Sequence, residues 1–227
     1  MPTLSERRRH YEAFTAHATL LCTDPGVRRA LRDGRGRPVE DCLGLHRHLT
    51  RHTAGHGARR AHYTVASLIA LADPPTPRPP TEPHPTPEHP APAAPGALTT
   101  TPAPTPGDPP PPPSAADTGT NNPDPYRSSI WRCHPNLGTT LATAVRRAGY
   151  NESRTEETLH LLVRLGDDQL HRRLPSLTKR LLDDGLTPRW PVLLDDLAQR
   201  TYDRNPVGTR WLDAFYLTLD ATVKGPM

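Results

Sequence analysis

Apolar residues recur at three- and four-residue spacing along both ends of the chain, and no stretch alternates as a half-buried strand would. Tyr11, Phe14, Ala18 and Leu21 share one helical face, and Thr3 with Glu6 fits a capping box. Together they predict a first helix over about 4–22. Asp24-Pro25 then opens a second helix, because Asp caps and proline suits the first helical position. That helix turns Val27, Ala30 and Leu31 inward and stops at Gly34. A third helix is expected over 39–53 and a fourth, more apolar one over 58–71.

The periodicity fails after Ala72 and returns near Tyr126. Beyond that point Leu137, Leu141, Ala144 and Val145 mark a helix ending at Gly149. Ser153 and Glu156 have capping-box spacing ahead of a helix reaching about Leu165. Leu170, Leu174, Leu177 and Leu181 then form an a/d stripe, which Pro175 should kink or restart. Two last helices are predicted at 191–202 and 207–222, with Trp190 and Trp211 as core anchors. The fold class is all-α: two small helical bundles, 1–72 and 126–227, joined by a long disordered insertion over 73–125.

Composition explains the interruption. Of 30 prolines, 21 fall between Asp73 and Pro125. A segment so poor in amide donors, each proline with a fixed φ, favours extended, solvated polyproline II over packing. It is read as a tolerated surface insertion; recruitment of a partner with an aromatic groove is the alternative, and would make the chain a helical interaction protein.

Charge sharpens the picture further. The chain's net charge of +4 conceals a tract at −5 and two blocks at +9, and all but two of the blocks' basic residues are arginine. Guanidinium groups bind two phosphate oxygens at once, so the balance suits nucleic acid, although GC-rich coding also inflates arginine. No apolar run reaches the length of a membrane span, and no apolar run follows the basic start as in a signal peptide. Three scattered cysteines, Cys22, Cys42 and Cys133, do not form a disulfide framework. A cytoplasmic chain without membrane attachment is expected.

Candidate catalytic chemistry is thin. His48, His52 and His56 are four apart, and His46 and His62 lie near them, but Gly55 and Gly57 interrupt the helix and arginines surround it. A solvated histidine face is preferred over a metal site or a pH-sensitive phosphate contact. Cys133-His134 are adjacent and no CxxC accompanies them. The pairs Asp167-Asp168, Asp183-Asp184 and Asp195-Asp196 are read as solvated carboxylates, two of them at helix starts where the dipole favours negative charge. No catalytic residue, metal ligand or cofactor is therefore assigned. What remains is arginine on helix surfaces: Arg28, Arg29 and Arg32; Arg146-Arg147; and Arg164, Arg172, Arg173, Lys179 and Arg180. Arg173 and Arg180 are seven apart, clear of the leucine stripe, and such a row suits a phosphate backbone without reading bases.

The order of segments resembles a known family. NLGTTLATAVRRAG, ESRTEETLHLLVRLGDDQLHRRLPSLTKRLL, RWPVLLDDLAQRT and GTRWLDAFYLTL are similar to the CasB family, the small subunit of the type I-E CRISPR surveillance complex, Cascade. PGVRRALRDG and VASLIALAD look like the family's arginine-bearing short helix and the end of its N-terminal bundle. The likeness covers most of 10–72 and 130–222 and leaves the proline tract as an insertion. It implies a non-enzymatic helical subunit that sits with a second copy against CasA, CasC and CasE. There it would bind crRNA and target DNA and stabilise the R-loop in antiviral defence. By position the family's basic sites fall on Arg29, Arg164 and Arg180, with Lys179 beside the last; Arg28 and Arg173 complete the expected nucleic-acid-binding set. Two departures stand out. Arg189 occupies a place where the family often has Asp, and a basic site is replaced by Glu157 or Thr158, with Arg154 one turn earlier as a substitute.

Deleting about residues 76–122 should leave the thermal midpoint and assembly unchanged, because a proline tract contributes no packed core. Melting curves of the shortened and full chains test this; a large drop would show that the tract packs.

Overall fold

The structure is a computed structural model that describes residues 3–72 and 134–221. The proline tract, the expected start of the second block near Tyr126, and Cys133 lie outside the described residues. Nine α-helices and one 3-10 turn occur among the described residues, with no strand. They are α1 (Leu4–Leu21), α2 (Pro25–Asp33), the turn Val39–Asp41, α3 (Leu43–Thr53), α4 (Arg59–Ile69), α5 (Leu137–Ala148), α6 (Glu152–Arg164), α7 (Asp167–Asp183), α8 (Trp190–Arg200) and α9 (Arg204–Asp220).

Local chemistry accounts for most of the ends. Thr3 and Glu6 form the predicted capping box, and Asp24 Oδ1 accepts from the amides of Gly26 and Val27. The cap of α6 lies two residues before the predicted one: Asn151, not Ser153, accepts the Arg154 amide at 3.0 Å. Pro175 neither breaks nor restarts α7, which runs through it. Proline removes the bond to the carbonyl of His171. The turn at Gly36, in the left-handed region (φ +71°), comes against that same backbone: a Cβ there would lie 3.3 Å from Arg172 Cα and 3.5 Å from the His171 oxygen.

Two helices form the interior. Every residue of α4 from Ala61 to Ile69 is buried, as is α8 from Val192 to Ala198. A helix buried all round must be wrapped by neighbours. Around α4 pack α1, α2, α3, α7 and α8, while α8 also meets α1 and α9. The described residues before and after the tract thus share one hydrophobic cluster, and residues 3–72 and 134–221 belong to one compact unit. Within the second segment α9 packs most extensively on α5 and then on α6. Trp211 and Phe215 are fully buried there, as expected of Trp211. Trp190 is not an equal anchor; it is half-buried at the start of α8, packed against the edge of the cluster.

The α1–α4 seam holds one of the histidines that the sequence suggested were solvated. His62 is 0% exposed, its ring edge-on to Phe14. Its Nδ1 lies 3.1 Å from the Ala58 oxygen and its Nε2 3.0 Å from His10 Nε2. Since a carbonyl only accepts, Nδ1 carries the His62 proton and His10 donates to His62 Nε2. Burial, reinforced by neighbouring imidazoles, pushes both histidines down to about 4. The solvated-face reading is corrected for His62 alone; His56 stays exposed while stacking on His10, and half-buried His52 stacks on His17, partners in α1 that α3 spacing alone could not reveal.

A Cβ at Gly138 would lie 1.9 Å from the Trp211 carbonyl oxygen, a backbone atom that cannot swing aside. Gly138→Ala should therefore force α5 from α9 and lower stability by at least the ~1–3 kcal/mol typical of overpacking, read as a lower urea midpoint. Buried His62 and half-buried His10 make stability depend on pH as well. Between about 4 and 6.5 the unfolded chain binds protons that folded His10 and His62 refuse, so their contribution is complete above 6.5 and lost as pH falls toward 4. Asp196, pushed up to about 7, acts in the opposite sense over an overlapping range. Comparison with His62→Phe cancels that contribution: the wild type should lose stability relative to the variant as pH falls from 6.5 to 4. Parallel midpoint-against-pH curves would contradict it.

Candidate nucleic-acid interface

The arginines fall into two groups. Arg28 and Arg32, one turn apart on α2, both reach the end of α4. Arg28 Nε donates to the Ala70 carbonyl at 3.1 Å and its Nη2 to that of Ala72; Arg32 Nε donates to Ala70 at 2.7 Å. Carbonyls at a helix C-terminus lack intrahelical donors and carry the negative end of the dipole, so two guanidinium groups suit that place. Arg28, expected to face phosphate, is half-buried on its own backbone. Its neighbour Arg29 is exposed.

Arg200 and Arg210, which no sequence pattern singles out, both hold the core. Arg200 is buried, donates to the carbonyls of Leu162, Val163 and Leu165 at the end of α6, and lies 5.5 Å from the Trp211 ring centroid. Arg210 donates to Asp196 at 2.7 Å. Asp195 and Asp196 are thus not solvated: both are buried, and Asp196 also accepts from the Trp211 indole at 2.7 Å. Burial pushes the Asp196 carboxyl up to about 7, against the pull of Arg210 and Trp211. The physical reason is position, since α8 is enclosed and its second and third turns have no solvent face.

Asp167 and Asp168 are also engaged. Asp168 pairs with Arg60 of α4. Asp167 lies 3.5 Å from buried His171, and that facing edge, with Arg60 and Arg200 behind it, holds its carboxyl below the usual value. Thr64 Oγ1 meets the other nitrogen of His171 at 2.7 Å. No group of three or more His, Cys, Asp or Glu side chains is arranged to hold a metal ion among the described residues.

Arg164, Arg173, Lys179 and Arg180 are all exposed. Adjacent residues on a helix point about 100° apart, and this sends Lys179 and Arg180 to different sides of α7. Lys179 borders a cleft of about 760 Å³ with Arg32 and Arg35 of the first segment, walled by Pro175 and Thr187. Its Nζ is 2.8 Å from Asp183, but both side chains are mostly exposed, and such pairs exchange readily. Arg180 borders a second cleft of about 550 Å³ with Arg154, Thr158 and Tyr150. Its guanidinium lies 4.2 Å from the Tyr150 ring centroid, and the Tyr150 hydroxyl donates to Asp184. Helix α7 is therefore a ridge between two clefts, the first with Arg32, Arg35 and Lys179 against Asp183, the second with Arg154 and Arg180 balanced by Asp183 and Asp184.

The geometry brings together some expected residues and separates others. Arg154 and Thr158 are one turn apart on the second cleft, and Thr158 donates to the Arg154 carbonyl at 2.8 Å. Arg154 so occupies the surface where the basic site was expected and not found. Arg35 was missed; its signal is the GRGR turn after α2, which lifts it clear of the helix. Arg29, Arg164 and Arg173 line neither cleft. At the start of α8, Arg189 gives no side-chain cap, so the helix lacks the bond an Asp there would make. No helix among the described residues is long and apolar enough to cross a membrane.

Comparison with known proteins bears on the whole of this arrangement. No curated protein sequence matches the chain. Among solved structures, a chain of a "CRISPR RNA-guided surveillance complex" is similar, with a TM-score of 0.66 at 26% identity, covering 96% of this chain and 98% of that one. A chain from a "CRISPR RNA-guided surveillance complex, pre-nicking" is similar with a TM-score of 0.65 at 26% identity, covering 96% and 97%. Residues 27–216, which include α3 to α8 and both clefts, match the family described as CRISPR-associated protein Cse2. The chain belongs to the CRISPR-associated Cse2 (CasB) family.

Proposed function

We propose that the chain is a non-catalytic small subunit of a CRISPR RNA-guided surveillance complex, where it holds the backbone of crRNA and target DNA and stabilises the R-loop. The observation that carries this is the ridge of α7 between two clefts, with the exposed Lys179 and Arg35 on one side and the exposed Arg180 and Arg154 on the other. The first cleft, with its excess of cations, suits a phosphate track, and in the second Arg154 and Arg180 offer guanidinium groups beside Asp183 and Asp184. Affinity then comes from counterion release, with sequence left to guide pairing. Arg29, Arg164 and Arg173 are exposed outside the clefts and are proposed as further phosphate contacts, and Arg28 ties α2, which carries Arg29, to the end of α4. The likeness to chains of surveillance complexes supports assembly with other subunits, for which CasA, CasC, CasE and a second copy are the proposed neighbours.

Replacing Arg35, Lys179 and Arg180 with Ala should weaken binding about equally for unrelated nucleic-acid sequences. The slope of log affinity against log salt should become shallower by roughly 0.7–0.9 for each phosphate that the variant no longer neutralises. Helix content should hold, because all three side chains are exposed. An unchanged salt slope in complexes reconstituted with this variant would remove the backbone-holding role and leave scaffolding.

A further inference from the structure

A third cavity, of about 420 Å³, lies away from α7, between the start of α1, the loop joining α3 to α4, and the end of α8. Its lining includes Arg7, His10, Tyr11, His56 and Tyr202. This is an unusual wall for a chain with so few aromatic residues. His10 and His56 are stacked, with centroids 3.5 Å apart and planes 12° from parallel. Tyr202 is 78% exposed, and no side-chain hydrogen bond or ring contact among the described residues holds its ring, which is left open to solvent. A Cβ at Gly57 would collide with the Tyr202 hydroxyl at 2.4 Å, so Gly57 is what allows the ring to lie over the loop. The loop is held in a costly shape: Ala58 adopts φ +57°, in the left-handed region that an alanine avoids, and its oxygen is fixed by the buried His62 ring. Arg7 Nε is buried and has no hydrogen-bond partner, and the exposed Arg51 and Arg59 flank the loop in sequence.

We infer that this cavity takes an unpaired nucleobase of a single strand, stacked on Tyr202 with the His10–His56 pair as a second ring wall. Arg7 and the flanking arginines would meet the phosphates on either side. This rests on the proposed nucleic-acid-binding function and adds to it a site at which the base itself matters. The wall favours stacking over readout. Gln199, the nearest amide, already donates to Asp195 and accepts from Arg210, so it is poorly placed to select among bases. Stacking is sequence-tolerant because every base has a ring face. The acids adjacent in sequence to the lining are all engaged: Glu6 in the capping box with Thr3, Glu12 with Arg8, and Asp203 as the cap of α9 through the Asn205 amide.

The test compares two single strands of equal length, oligothymidylate and a wholly abasic strand, binding to the full chain at low salt by fluorescence anisotropy. Wild type should prefer the strand with bases. Tyr202→Ala should weaken oligothymidylate binding about tenfold, the scale of one base stack, and leave abasic binding unchanged; Tyr202→Phe should retain wild-type affinity for both. The Arg35, Lys179 and Arg180 variant should weaken both strands alike. Equal affinity of wild type for the two strands, or a Tyr202→Ala loss shared by both, overturns the base pocket while leaving the backbone role standing. A base preference that survives with an unaltered salt slope in the arginine variant supports the pocket and defeats the backbone role instead. Failure of wild type to bind either strand defeats both.

Discussion

Helices α5 and α9 touch backbone to backbone at Gly138, where any side chain would enter the carbonyl of Trp211. That approach sets the depth of α9, and several polar contacts follow from it. Asn136, which caps α5 through the Thr139 amide, also donates to the Arg210 carbonyl one residue before Trp211. With the main chain of Arg210 and Trp211 so placed, their side chains turn toward α8 and converge on Asp196. A buried carboxylate is costly unless paired and hydrogen-bonded. Here a guanidinium and an indole do both. Arg200 then fills the space behind the Trp211 ring and bonds the end of α6. A single close approach thereby fixes α5, α6, α8 and α9, and α8 carries that geometry to α1 and α4 in the first segment.

Short-range chemistry is readable from the chain, and long-range chemistry is not. Thr3, Asp24 and the leucine stripe of α7 act within one or two turns, so spacing alone identifies the helices they start or align. The failures share a different cause. His10 and His62 are 52 positions apart and Asp196 and Arg210 are 14 apart, so the partner that makes each burial tolerable is not in the local pattern. The acids of α8 do carry a faint signal: Asp195-Asp196 lie between Val192-Leu193-Leu194 and Leu197-Ala198, with apolar residues on every side of the helix. Such an apolar circumference argues for an enclosed helix, and an acid inside one must have a cation. The family resemblance is legible for a related reason, because the Gly138 and Trp211 motifs mark this one packing constraint.

Arginine count alone misjudges the interface. Arg28, Arg32 and Arg200 hold helix ends, Arg210 a buried acid and Arg60 the exposed Asp168, so their charge is largely answered within the fold. The residues left facing solvent on and beside α7 meet only weak opposition, from Asp183 and Asp184. Internal use of some arginines therefore has a functional consequence. Arg28 and Arg32 grip the end of α4 from α2, and the turn that follows carries Arg35 to the first cleft. The Gly36 turn then rests on α7 opposite the carbonyl that Pro175 frees. Proline in the middle of the ridge helix, a glycine turn and two carbonyl-bound arginines together set the width of a cleft whose walls come from opposite sides of the tract. In the proposed backbone-holding role, phosphate spacing is fixed by nucleic-acid geometry, so the cleft would have to be held at a fixed width, and the structural arginines would supply that to the exposed ones.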